Sequence, residues 1–196
     1  MHQDMPSDID FVAVGASAGG VEALTVLMQA LPPDFPVAIA VVLHIPPGRL
    51  NPMPALFAER CSLPVVEAVD KDAIKAGTVY FAPADYHLLV EPDGTFALSV
   101  DAAVHYSRPS IDLLFESAAE SYGNRMLGIV LTGASADGAA GLRAVRAQGG
   151  RAWVQDPDTA RAATMPRAAI EIAGADDILE LSSLAANLSR LASHTS

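Results

Sequence analysis

Cleaving an ester or amide through an acyl-enzyme takes a hydroxyl that attacks, an imidazole that accepts its proton and a carboxylate that orients the imidazole. The sequence offers such a set in Ser17, within Gly15-Ala16-Ser17-Ala18-Gly19, His44, just before Ile45-Pro46-Pro47-Gly48, and Asp137, in the loop Thr132 to Gly138. Gly-x-Ser-x-Gly is the pattern of a nucleophile elbow, where small neighbours permit a sharp turn from strand to helix. The Ala18 N–H, at the start of the following helix, would then point at a developing oxyanion, aided by the helix dipole. Each residue also has a plainer reading. Ser17 could cap a helix or belong to a phosphate-binding loop, His44 could be a satisfied strand-end histidine, and Asp137 could cap its own helix. A dinucleotide fingerprint needs glycine where Ser17 stands, so the phosphate loop fits poorly. The weight lies in the convergence of the three.

Periodicity shows the scaffold that carries them. Phe11–Val14 and Val37–Leu43 are apolar runs that stop at Gly15 and His44, with an amphipathic helix over Val21–Leu31 between them. A short helix over Pro54–Arg60 and a strand over Pro64–Val69 come next. TVYFAP, YHLLVE and TFALSV, separated by turn residues between Thr78 and Val100, read as an antiparallel insertion. Ser110 is the expected cap of a helix whose apolar positions Ile111, Leu114, Phe115, Ala118, Ala119 and Tyr122 share one face. Strand Leu127–Leu131, helix Ala139–Gln148, strand Ala152–Val154, helix Met165–Ala173, strand Ile178–Leu181 and helix Leu184–Ala192 complete the chain. This alternation predicts an α/β fold: a doubly wound, mostly parallel sheet with helices on both faces and a short antiparallel insertion. In such folds ligands bind beyond the carboxyl ends of the strands, where Ser17, His44 and Asp137 all fall. His87 and His105 lie in or beside the insertion, and His2 and His194 near the termini, so His44 is the expected base.

The 196 residues, 51% of them apolar, suit a single domain with its core over about 11–191. A net charge of −11 argues against nucleic acid and anionic lipid as partners. The single cysteine, Cys61, suits a reducing compartment, and no short-spaced cluster suggests a metal or other cofactor. The polar, acidic start lacks a leader pattern, and no apolar run approaches the ~20 residues of a spanning helix. A cytoplasmic protein without membrane insertion is expected.

VAVGASAGGVEAL, LHIPPG, VYFAPADYHLLVE, RPSIDLLFESAA, GIVLTGASADGAAGL and ATMPRAAIE together resemble the catalytic domain of the chemotaxis protein-glutamate methylesterases, the CheB family, over about Phe11 to Leu191. The resemblance implies a serine hydrolase that removes γ-glutamyl methyl esters from methylated chemoreceptor cytoplasmic domains, with glutamine deamidation as a related activity. It places nucleophile, base and acid on Ser17, His44 and Asp137, and allows backbone oxyanion donors at Ala18 and Ala134. Arg108 and Pro109 match the family's Arg-Pro-Ser and would shape the cleft or the helix entry. Family members often carry a receiver domain; with ten residues before Phe11, regulation by phosphorylation in cis is not expected, leaving a methyltransferase or a separate receiver protein as further partners. The alternatives are a non-catalytic signalling interaction module and a small-molecule esterase. An intact triad argues against the module, on the premise that the fold itself requires none of the three residues.

Overall fold

The computed structural model describes residues 9–45 and 51–194. Nine strands and six α-helices alternate among them, in the order β1 Phe11–Ala16, α1 Gly20–Gln29, β2 Ala38–Leu43, α2 Met53–Ala58, β3 Val65–Glu67, β4 Val79–Phe81, β5 His87–Val90, β6 Phe96–Ser99, α3 Ile111–Tyr122, β7 Met126–Val130, α4 Ala139–Ala147, β8 Arg151–Gln155, α5 Thr164–Ala173, β9 Asp177–Leu179 and α6 Leu181–Arg190. Seven strands form one sheet in the order β3-β4-β2-β1-β7-β8-β9. Every pairing in it is parallel. The chain winds outward from β1 on one side and later returns to its other side through β7, so the switch in strand order falls at the centre of the sheet.

The side-chain period of two sends alternate residues of β1 to opposite faces. Val12, Val14 and Ala16 pack with Leu24 and Leu27 of α1, Phe57 of α2, and Leu184 and Leu188 of α6. Phe11 and Ala13 pack with Ile111 and Phe115 of α3, Leu142 of α4, Met165 of α5, and Leu88 and Phe96 of the β5–β6 hairpin. Each face is thus covered by three helices, which explains why the central strands are apolar throughout rather than alternating.

The segment Thr78–Val100 departs from expectation. Only β5 and β6 form an antiparallel pair, whereas Val79–Phe81 joins the main sheet parallel to β2 and β3. A three-residue Val-Tyr-Phe strand has the same composition in either setting. What decides is burial, and all three residues are enclosed on both sides. No helix among the described residues is long and apolar enough to cross a membrane.

Candidate active site

Ser17 and His44 are held side by side by strand register. β1 and β2 pair Gly15 with Val42 and Ala16 with Leu43, and the His44 N–H continues the ladder by donating to the Ala16 carbonyl at 3.1 Å. One step further, both residues stand on the carboxyl rim, on strands about 4.8 Å apart. On its other side the Ser17 N–H donates to the Thr132 carbonyl just beyond β7, at 3.0 Å. Nothing in the sequence pattern singles out Thr132, yet its buried hydroxyl donates to the Ala18 carbonyl at 2.8 Å and accepts the Ala162 N–H at 2.9 Å. It fastens the elbow to two neighbouring loops.

The glycines of the elbow do separate jobs. Gly19 makes the turn, at φ +80°, and a Cβ there would lie 2.8 Å from the Arg161 Cβ. Gly15 is part of β1 and serves close approach: a Cβ on it would fall 2.4 Å from Cγ2 of Ile111, the first residue of α3. The start of α3 is therefore drawn against the strand two residues before Ser17.

That helix start receives Asp137. Fully buried, its carboxylate accepts from His44 Nε2 at 2.8 Å, the Ser110 hydroxyl at 2.9 Å, and the Ile111 and Asp112 N–H groups at 2.7 and 3.0 Å. Asp137 is indeed a cap, but of α3 rather than of the helix it precedes. Ser110, expected to cap α3, occupies the N-cap position without capping and gives its hydroxyl to Asp137 instead. The favour is returned across the pair, because Asp112 in the first turn of α3 accepts the Gly138 and Gly141 N–H groups at 2.9 and 2.7 Å, at the start of α4. Two helices thus exchange carboxylate caps, and Asp137 is part of the frame. The premise that the fold requires none of the three residues is corrected for this one.

Burial alone would push the Asp137 pKa up. Hydrogen bonds from His44, Asp112 and Ile111, with attraction to His44, outweigh it and hold the group below its ordinary value. For Asp112, burial dominates, Asp137 adds repulsion, and the pKa is raised. An ionised Asp137 only accepts, so His44 Nε2 bears the hydrogen and Nδ1 is left as the acceptor of the ring.

His87 and His105 are occupied elsewhere. His87 is buried, accepting the Ser110 N–H on Nδ1 at 3.1 Å and giving Nε2 to the Ala102 carbonyl at 3.1 Å. His105 Nε2 lies 3.4 Å from Asp112 Oδ2. His2 is outside the described residues. Ala18 and Ala134 are exposed, and no hydrogen bond among the described residues uses either N–H. Among the described residues no group of three or more His, Cys, Asp or Glu could hold a metal ion.

An open cleft of about 240 Å³ runs from His44 and Ile45 past Asp85 to Tyr106, Arg108 and Pro109. Of the three proposed catalytic residues only His44 lines it; Ser17 is half-buried and Asp137 lies beneath the surface. Arg108 and Pro109 therefore shape the cleft, and they also lead into α3. The second alternative for them holds along with the first.

The family model for CheB methylesterase matches residues 12–188. The chain belongs to the CheB methylesterase family. A solved CheB methylesterase catalytic domain, from Thermotoga maritima, superposes with a TM-score of 0.89 at 33% identity, covering 93% of this chain and 98% of that one. A protein-glutamate methylesterase/protein-glutamine glutaminase homologue of Leptospira interrogans is 43% identical over 180 residues, 92% of this chain and 93% of the other. The protein-glutamate methylesterase FrzG of Myxococcus xanthus is 38% identical over 183 residues, and this chain spans 55% of its length. The doubly wound sheet with its antiparallel hairpin is thus the fold of a CheB catalytic domain.

Proposed function

We propose that this CheB-family chain is a cytoplasmic serine hydrolase, read as one domain, that removes methyl esters from glutamyl side chains of chemoreceptor cytoplasmic domains. The observation that carries the reading is the part-buried His44–Asp137 hydrogen bond, held at the strand ends beside Ser17. In the first step the Ser17 oxygen attacks the γ-carbonyl carbon while its proton passes to His44 Nδ1, and Asp137 stabilises the imidazolium. The tetrahedral oxyanion is met by the N–H groups of Ala18 and Ala134. Collapse expels methoxide, which takes the proton from His44 and leaves as methanol. Water, deprotonated by the same nitrogen, cleaves the acyl-serine and releases glutamate. A γ-amide enters by the same route with ammonia as the leaving group, which fits the paired activities in the names of several relatives.

Methanol release from methylated receptor is the direct test. Wild type should exceed Ser17→Ala and His44→Ala by about 10⁴-fold or more, with folding checked by circular dichroism. Folded wild type no faster than Ser17→Ala on several receptors would leave the interaction-module alternative in its place.

A further inference from the structure

A protein of net charge −11 acting on glutamate-bearing segments must overcome repulsion at its own cleft. Arg108 is the one Lys or Arg among the described residues lining that cleft, and the acid that shares the lining, Asp85, already interacts with another group. The guanidinium is oriented by Nη1, which donates to the Val100 and Asp101 carbonyls at 2.9 and 3.0 Å. The opposite edge is unspent. Nε has no hydrogen-bond partner although it is buried, and no hydrogen bond or ion pair among the described residues uses Nη2. On a side chain that lines the cleft, Nη2 is the guanidinium group left to make a charge-assisted bond to a carboxylate.

The rim beside it is shaped for a visitor as well. Val104 and Ser107 exchange backbone hydrogen bonds around His105 and Tyr106, whose φ values of +48° and +61° are rare for side chains of their size. Strain of this kind collects at binding sites, and this turn leaves Tyr106 fully exposed on the cleft while burying none of it in the fold.

We propose that Arg108 is a specificity residue which receives a carboxylate neighbouring the ester on the substrate segment, so that the cleft selects esters in acidic surroundings. This rests on the esterase reading above. The test uses two helical peptides, each with one glutamate γ-methyl ester flanked within a helical turn on both sides by glutamates or by glutamines. Wild type should favour the glutamate peptide by about 10- to 100-fold in kcat/KM, mainly through KM, as expected of a charge-assisted pair. The preference should shrink with added salt and be lost in Arg108→Gln. Equal rates on the two peptides with wild type overturn the proposal whether or not Arg108→Gln folds, and so does a preference that survives intact in Arg108→Gln. Should wild type cleave neither peptide and a fluorophosphonate fail to label Ser17, the esterase reading fails first and the Arg108 proposal with it.

Discussion

Replacing Asp137 by asparagine keeps the shape of the side chain and removes its charge, at a site where both carboxylate oxygens are engaged. The Ile111 N–H points at Oδ2 and the Asp112 N–H at Oδ1. An amide has one oxygen, so whichever way it turns, one of these buried donors faces an NH2 group. An unmet buried donor costs about 1–3 kcal/mol. Loss of the negative charge from the start of α3 adds about 0.3–2 kcal/mol. Together they give an expected destabilisation of about 1–5 kcal/mol, read as the difference in urea unfolding free energy between wild type and Asp137→Asn at neutral pH. Because the folded-state pKa of Asp137 lies below its unfolded value, its contribution is complete above about pH 3.9 and drains away as pH falls through the folded pKa. The gap between the two proteins should therefore narrow below about pH 3.9. A cost under about 1 kcal/mol, or a gap that stays constant into acid, would refute the capping role.

Gly15→Ala should cost about 1–3 kcal/mol of stability and lower esterase activity by about 10²-fold, because the added methyl displaces Ile111 and with it the seat of Asp137; thermal melts and methanol release check both. His105→Ala should move the unfolding free energy by less than about 1 kcal/mol, since its contact with Asp112 is half-exposed, while Asp112→Ala, which strips α4 of two capping bonds, should cost clearly more in the same urea titration.

The positions of Ser17 and His44 are legible in the sequence for a physical reason: apolar runs that end at a polar residue mark strand ends, and parallel strands align their ends on one rim. Asp137 is visible as a loop residue after a strand, but its partners are not. Its cap is on a helix 25 residues earlier in the chain, and nothing local signals that two helix starts will meet. Asp112 is hidden more thoroughly. It falls off the apolar stripe of α3, where an acidic residue in a first turn reads as an exposed dipole partner, and yet it is buried against α4. Thr132 lies in plain view within the Thr-Gly-Ala-Ser-Ala-Asp-Gly loop; only contacts from Ala18 and Ala162 disclose its part. The direction of β4 is misread from sequence because direction is a property of neighbours, not of composition.

The exchanged caps of α3 and α4 make the three proposed catalytic residues unequal under mutation over generations. A lineage that gave up hydrolysis could drift at Ser17 and His44 with little penalty to folding, whereas drift at Asp137 would loosen two helices at once. Among relatives, a surviving aspartate at this position is then a record of architecture, and only the serine and histidine together testify to chemistry.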